Sequence, residues 1–200
     1  SGLVLEKGTP GFEVVRLEDK RGHRGSSTAS LRFNGCRVPR ANVIGNPGDG
    51  LSILLGSLNR SRPSVAAHAM GIAMAAFKDM TSYMNERRQS DRRIVDFQAN
   101  QFMIADLATD LAMADCWLDY LADLIEAGED DFGLEASMAK LRASDLAMRA
   151  ATEAVQMHGG YGYCRDYRVE RLMRDAKITQ IWEGTNQVHR QLIGRSFATK

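Results

Sequence analysis

One apolar stripe, which runs from Leu51 to Tyr83, constrains the fold of this chain more than any other feature. Its residues recur at intervals of three and four, the period of one helix face, over about nine turns. They are Leu51, Leu54, Leu55, Leu58, Val65, Ala69, Ile72, Ala76, Met80 and Tyr83. Because a helix of this length has to bury its apolar face against other helices, the stripe predicts a helical bundle.

Two further long helices are predicted by the same period. One stripe ends at Gly128 and consists of Phe102, Ala105, Leu111, Leu118, Ala122 and Ile125. The other ends at the pair Gly159-Gly160, an expected C-cap, and consists of Leu134, Met138, Leu141, Met148 and Val155. Shorter helices are expected at about 168–176 and 184–197. The bundle is therefore predicted to be antiparallel, with short connections.

The first part of the chain has a different composition, with short β-prone runs between turn signals. The runs are 4–6, 12–15 and 30–33. Three or four short strands form only part of a sheet, whose edges further strands would have to cover. We predict a mostly α-helical protein with two domains: an incomplete β-domain at 1–48 and a helical bundle domain at 49–200.

Charge and composition exclude several classes of protein. Lys and Arg total 26 against 25 Asp and Glu, which gives no basic excess for nucleic acid. No apolar run approaches the roughly 20 residues of a membrane-spanning helix. Cys36, Cys116 and Cys164 are too few and too scattered for a disulfide scaffold or a metal cluster. We therefore expect no nucleic acid, no membrane span and no metal, and a reducing compartment.

Three segments in the last third of the chain carry a specific signature. They are AVQMHGGYGY at 154–163, VERLMRDAK at 169–177 and IWEGTNQ at 181–187. Together with EKGTPGF at 6–12 and GSST at 25–28, they resemble the acyl-CoA dehydrogenase family in the same order along the chain. These flavoenzymes desaturate acyl thioesters between the α and β carbons. The resemblance implies the family's C-terminal helical bundle, FAD as cofactor and an acyl-CoA substrate.

The resemblance assigns the catalytic base to Glu183. Removing an α-proton from a thioester requires a base, and a carboxylate in a desolvated pocket is suited to this task. In the family the glutamate of this motif takes the α-proton while hydride passes to FAD. Some members carry the base on the first bundle helix, where the matching residue here is Ser61, which has no carboxylate. The alternative is that Glu183 is a solvated glutamate at the start of the last helix.

Cofactor-binding residues also follow from the resemblance: Arg87, Gln89, Gln98, Gln156, Gly160, Thr185 and Gln187. Arg87 would pair with the pyrophosphate, because a guanidinium binds phosphate oxygens bidentately. Gln156 and Gly160 match positions that contact the dinucleotide of a neighbouring subunit. Ser90 and Asp91 depart from the family's phenylalanine and glycine. Alternatively, the segment around Arg87 is a solvated interhelical turn and Thr185 is only a helix cap.

The resemblance places Asn59, Arg62 and Gly184 at the substrate. Gly184 would let the thioester approach the backbone closely. Arg62 keeps a cation for the CoA arm, whereas Asn59 stands where the family often has aspartate. The loss of that charge leaves a modified acyl group or a thioester tethered to a carrier protein as alternatives to acyl-CoA.

Family members begin with a helical N-terminal domain and a complete β-domain. We therefore expect these 200 residues to start within the β-domain and to be inactive by themselves. The resemblance further implies a homo-oligomer (dimer or tetramer), an electron-transfer flavoprotein as acceptor, and a location in the bacterial cytoplasm rather than the mitochondrial matrix. Two alternatives stay open: a related flavoenzyme such as an oxidase or a secondary-metabolite tailoring enzyme, and a non-catalytic helical assembly module.

Overall fold

The structure, a computed structural model, describes residues 1–198 and contains two compact units. The first unit is Ser1–Arg60 and the second begins at Ser61. Most described residues are helical, as the stripes predict. The helices are α1 (Gly50–Glu86), α2 (Gln98–Glu126), α3 (Gly133–His158), α4 (Val169–Thr179) and α5 (Asn186–Ser196).

The first unit contains two small antiparallel sheets. In one, β1 (Gly2–Leu3) pairs with β4 (Val43–Ile44); in the other, β2 (Phe12–Leu17) pairs with β3 (Ala29–Phe33). The rings at the two ends of the second pair, Phe12 and Phe33, stack with their centroids 5.3 Å apart. Both sheets have only two strands, and large apolar side chains of β2 and β3 are exposed. The strands β2 and β3 lie at the predicted runs 12–15 and 30–33, and the incomplete β-domain stays a prediction.

The first predicted strand, 4–6, is wrong. The strand is Gly2–Leu3, because its pairing partner β4 lies opposite these two residues. Val4 still donates its N–H to the carbonyl of Asn42, and the chain then enters a turn closed by Thr9. Strand β4 was not predicted, since two residues are too few to show a period.

The core of the second unit depends on small side chains. α3 packs against α2, α4 and α5. Its buried face is mostly alanine: Ala136, Ala139, Ala143, Ala147, Ala150, Ala151 and Ala154. Alanines also form much of the buried face of α1, together with Met70, Met80 and Met84. Small residues let helix backbones approach closely, and methionine fills the irregular space between them.

A short hairpin follows α1. Its strands are β5 (Arg88–Gln89) and β6 (Arg92–Arg93), and Ser90 and Asp91 form the turn with φ of 49° and 59°. Two successive residues with positive φ characterise the type I′ turn, which favours glycine and asparagine. The hairpin was not predicted, because each of its strands has just two residues; a solvated turn was expected only as the alternative to a cofactor site.

Residues 1–198 contain neither a membrane-spanning helix nor a cluster of metal-ligating side chains. None of the helices in this range is long and apolar enough to cross a membrane. Within the same range, no group of three or more His, Cys, Asp and Glu side chains could hold a metal ion.

Candidate active site

Glu183 lies in the loop between α4 and α5, in an unusual backbone conformation. Its φ is 54°, and Gly184 after it has a φ of 94°. A residue with a side chain at positive φ stores about 1–3 kcal/mol and persists only where its surroundings hold it. Gly184 suits this position because its φ favours glycine, and a Cβ there would make a tight contact of 3.1 Å with Nε2 of His189. Such strain is typical of functional loops.

Two buried side chains hold this loop by its carbonyl groups. Lys140 on α3 donates from Nζ to the carbonyl oxygen of Gly184 over 2.7 Å. His189 on α5 pairs through Nε2 with the carbonyl oxygen of Glu183 at 3.1 Å. Both side chains are fully buried. The backbone directly after the Glu183 side chain is therefore tied to α3 and α5.

The Glu183 side chain points to α1. The Ser61 hydroxyl donates to its Oε2 over 2.6 Å, in a partly buried setting. The neighbouring Arg62 is buried and donates from Nη1 to the Ser137 hydroxyl over 3.4 Å. Burial lowers the pKa of Arg62, and the negative charge of Glu183 opposes this shift. The structure thus brings the predicted base Glu183 and the predicted substrate residue Arg62 into one site.

Burial also sets the protonation of the two groups that hold the loop. It lowers the pKa of Lys140 to about 8; the charges of Asp145 and Glu183 oppose the shift, and that of Arg62 adds to it. It lowers the pKa of His189 to about 4, helped by the positive charges of Lys140 and Arg62. At neutral pH His189 is therefore neutral. Because a carbonyl only accepts, its proton lies on Nε2, facing Glu183.

The other residues of the IWEGTNQ segment surround the loop. Trp182 meets His68 of α1 edge to face, with ring centroids 6.0 Å apart. Thr185 is the N-cap of α5 and accepts the N–H of Val188 over 3.4 Å. The expectation that Thr185 caps a helix is confirmed, and its contact with FAD stays a prediction. Gln187 is exposed on the first turn of α5.

A second cluster of predicted residues lines a cavity of about 450 Å³ between the hairpin and the end of α3. Four predicted cofactor residues meet there: Arg87, Gln89, Gln156 and Gly160. The other lining residues are Tyr83, Ile94, Met157, His158, Gly159, Tyr161 and Cys164. These four residues come from two segments that are far apart in the sequence, and the fold brings them to one place.

The cavity is suited to a group that carries phosphates. Arg87 supplies a guanidinium, Gln89 and Gln156 supply carboxamides, and none of the described residues lining the cavity has a carboxylate. At the end of α3, Gly159 has a φ of 61°, and a Cβ there would meet nothing within 4 Å. Cationic and neutral donors beside exposed glycine backbone are the groups that dinucleotides bind. The residues present therefore fit the FAD that the resemblance implies.

An aromatic group beside this cavity was not predicted. The His158 ring stacks on Tyr83 with centroids 4.1 Å apart and shares a hydrogen bond with the carbonyl of Ala154 at 2.7 Å. Tyr161 and Tyr167 complete the group. His158 is therefore both packed against an aromatic ring and hydrogen-bonded. The signal for the cluster was the concentration of tyrosines around the glycines that follow α3.

Two predicted residues lie outside these clusters. Gln98 is the exposed first residue of α2 and is not among the described residues that line the cavity. Asn59 is partly buried on α1, within the first unit. Sequence reasoning missed Lys140 and His189, although a lysine in phase with the alanines of α3 is a signal of a buried cation.

The chain is similar to known proteins of one family. Residues 48–198 match the family model described as "Acyl-CoA dehydrogenase, C-terminal domain". The chain is 47% identical, over 98% of its length, to an acyl-CoA dehydrogenase of Bacillus subtilis, of which it covers 51%. It is 45% identical, again over 98% of its length, to the acryloyl-CoA reductase (NADH) of Anaerotignum propionicum and covers 49% of that protein.

A solved structure gives the same result for the fold. The butyryl-CoA dehydrogenase of Megasphaera elsdenii superposes with a TM-score of 0.93 and 43% identity, over 97% of this chain and 50% of that one. The chain thus spans about half the length of the relatives it matches. Because the family model covers most of the chain and the fold agrees, this chain belongs to the acyl-CoA dehydrogenase family and contains its C-terminal helical domain.

Proposed function

We propose that this protein is a flavin-dependent acyl-CoA dehydrogenase in which Glu183 removes the α-proton of an acyl thioester. The observation that carries the proposal is the Glu183 carboxylate, partly buried beside Ser61 and Arg62 on a loop held by two buried side chains. A carboxylate with fixed position and limited access to water is suited to act as a general base. FAD, when bound, accepts the hydride from the β carbon.

The side chains around Glu183 each have a part in this reaction. Glu183 takes up the α-proton on its carboxylate. Ser61 donates to Oε2 and so orients the carboxylate. His189 is neutral at the pH of the reaction and donates its only proton to the backbone, so that it does not compete as an acid. Trp182, packed against His68, would exclude water from the reacting atoms.

Arg87, Gln89, Gln156 and Gly160 would hold the phosphates of FAD in the cavity beside the hairpin. Gln98, Thr185 and Gln187 are further proposed contacts, carried over from the resemblance. In this family the cavity receives the cofactor of a neighbouring subunit, so the proposal includes a homodimer or homotetramer. Exposed apolar side chains on α2, including Phe102 and Met113, are consistent with a second copy.

For the substrate we propose acyl-CoA, with Asn59, Arg62 and Gly184 as the substrate contacts that the resemblance implies. A thioester carried by a protein is the alternative, because Asn59 lacks the charge that is usual there. The electron acceptor proposed is an electron-transfer flavoprotein. The division into a β-domain at 1–48 and a bundle domain at 49–200 also stays a proposal.

We propose further that the 200 residues do not retain FAD by themselves, because they span only half the length of their relatives. Flavin absorbance of the purified chain tests this statement. If the chain retains no flavin, kinetic experiments use the longest form of the protein that does. A chain that retains flavin and is bleached by acyl-CoA would contradict this part of the proposal.

The decisive experiment replaces Glu183 by Gln, which keeps the shape of the side chain and removes its basicity. The exposed Glu126, at the end of α2, provides the matched control Glu126→Gln. In Glu183→Gln we expect flavin content and acyl-CoA binding to be retained and flavin bleaching by acyl-CoA to slow by about 10² to 10⁴. Flavin bleaching at the normal rate in Glu183→Gln would show that another residue is the base. Repeating the reaction in air separates a dehydrogenase from an oxidase.

A further inference from the structure

Lys140 is an unusual residue for its position. It lies on the alanine-rich face of α3 and is fully buried. Lysine is almost never buried to this extent unless its ammonium group is paired, since removing the charge from water is costly. An apolar residue would fill the same space without that cost. The ammonium group is therefore expected to serve a purpose other than packing.

The contacts of Lys140 point to the loop that carries Glu183. Its Nζ donates to the carbonyl oxygen of Gly184 over 2.7 Å and to Oδ1 of Asn186 over 3.0 Å. These two residues lie directly after the proposed base. One side chain of α3 thus joins the end of the loop to the first residue of α5.

Asn186 extends this connection. It is buried, and its Nδ2 donates to the Ser144 hydroxyl over 2.9 Å and to Asp145 Oδ1 over 2.8 Å. Its backbone N–H donates to the carbonyl of Gln180 over 3.1 Å, which closes the loop. α3 therefore holds the segment after Glu183 through Lys140, Ser144 and Asp145. A network of buried polar groups that hydrogen-bond to one another restricts a loop to one conformation.

The backbone of Glu183 needs such a restraint. With φ at 54°, it would relax to an ordinary conformation if its neighbours did not prevent it. That relaxation would turn the carboxylate away from Ser61, because the side-chain direction follows the backbone. Holding the carbonyl of Gly184 prevents rotation of the backbone directly after the base.

We propose that Lys140 is a positioning residue for the proposed base: its buried ammonium group holds Gly184 and Asn186 and so keeps the Glu183 carboxylate in place. This inference rests on the proposed function of Glu183. Lys140 does not touch the substrate. It acts through the loop, and its removal therefore affects the rate of proton removal more than the binding of the thioester.

The charged and titratable groups that face Lys140 come from each element around it. They are Arg62 on α1, Asp145 on α3, Glu183 in the loop and His189 on α5. Because burial lowers the pKa of Lys140 to about 8, its titration can be observed separately from that of exposed lysines. A ¹³C-lysine NMR titration should show one lysine that titrates near pH 8 and is missing from the Lys140→Met variant.

The test compares Lys140→Met with Lys78→Met. Methionine keeps the unbranched shape of the side chain and removes the charge and the donor. Lys78 is exposed on α1, so the same change there serves as the control. In Lys140→Met we expect flavin bleaching by acyl-CoA to slow by about 10- to 100-fold. The dissociation constant of the acyl thioester should change less than this rate, because Gly184 belongs to the loop that moves while Arg62 stays in place on α1.

Hydrogen exchange provides a readout that does not depend on FAD. The Asn186 amide should exchange as slowly as the core of α3 in the unchanged chain and at least about tenfold faster in Lys140→Met. If Lys140→Met does not fold, the proposal is tested by the exchange rate of the Asn186 amide in the unchanged chain. Fast exchange of that amide would overturn the proposal. Lys78→Met should leave both readouts unchanged.

Glu183→Gln separates the two proposals. If it abolishes bleaching while Lys140→Met bleaches at the normal rate with slow Asn186 exchange, Lys140 has no positioning role and the proposed function stands. If Glu183→Gln bleaches normally, the proposed function fails. The exchange of Asn186 in Lys140→Met then shows independently whether Lys140 holds the loop.

Discussion

The Ser61 hydroxyl donates a hydrogen bond of 2.6 Å to Oε2 of Glu183, across 122 positions of sequence. One residue lies on α1 and the other in the loop before α5. The resemblance assigned Ser61 only to the position where some family members carry the base. In the structure the hydroxyl of Ser61 contacts the carboxylate of the proposed base. The two positions to which the resemblance assigns a base are therefore in direct contact.

Removing this hydrogen bond should slow the reaction without changing the base. In Ser61→Ala the partly buried carboxylate loses a donor, and bonds to charged groups contribute about 1.5–3 kcal/mol. We expect the rate of flavin bleaching to fall by about tenfold, with flavin content unchanged. The exposed Ser64, on the same helix, provides the control Ser64→Ala. An unchanged rate in Ser61→Ala would show that the carboxylate is oriented by other contacts.

The buried His189 should make stability depend on pH in the acid range. Its pKa in the folded chain is about 4, against 6.5 for an exposed histidine, so the unfolded chain binds the proton more readily between these values. The contribution of neutral His189 to the free energy of unfolding is fully present above about pH 6.5. As the pH falls towards 4, the free energy of unfolding decreases by up to about 3 kcal/mol.

The measurement is urea unfolding of the chain and of His189→Gln at several pH values. Glutamine keeps a donor for the Glu183 carbonyl and does not titrate. The difference in unfolding free energy between the two chains should therefore shrink from pH 7 to pH 4, while the contributions of carboxylates cancel. A constant difference over this range would contradict the lowered pKa of His189.

Replacing Asp91 by glycine should stabilise the hairpin after α1. Asp91 has a φ of 59°, where glycine is free of the strain that a Cβ introduces, so we expect a gain of about 0.5–1 kcal/mol. Asp91→Asn removes the charge and keeps the Cβ, so its melting temperature should rise less. Both variants should bind FAD a few-fold more tightly, because a carboxylate leaves the hairpin that carries Arg87 and Gln89. A higher melting temperature in Asp91→Asn than in Asp91→Gly would show that charge, not strain, dominates.

Arg87→Gln should weaken the binding of FAD and leave the rate of flavin bleaching by acyl-CoA nearly unchanged. Losing a guanidinium contact with phosphate should weaken FAD binding by about 10- to 100-fold. The bleaching rate in protein saturated with FAD should stay within about twofold, because Arg87 lies in the cavity and not beside Glu183. The exposed Arg171 on α4 provides the control Arg171→Gln. Equal loss of FAD in both variants would indicate a general effect of positive charge.

The periodicity of apolar residues was sufficient to predict where the helices lie, but it was not sufficient to predict the short strands. The stripes from Leu51 and from Leu134 each cover many turns, so the period appears repeatedly, and α1 and α3 lie where they were predicted. β4 and the hairpin strands have two residues each, and only their partners define them. The error at 4–6 has the same cause, because pairing with Val43 and Ile44 sets the register.

The apolar periodicity predicted the helices, and the motifs predicted Glu183 as the base and the residues around Arg87 as FAD contacts. Each of these depends on residues close in sequence or on a motif within one segment. The tertiary structure alone decided that Ser61, Lys140 and His189 surround the Glu183 loop. These contacts join residues on α1, α3 and α5, and no local pattern encodes which buried polar groups will meet. The physical reason is that a buried polar group must find its partner wherever packing brings the helices together.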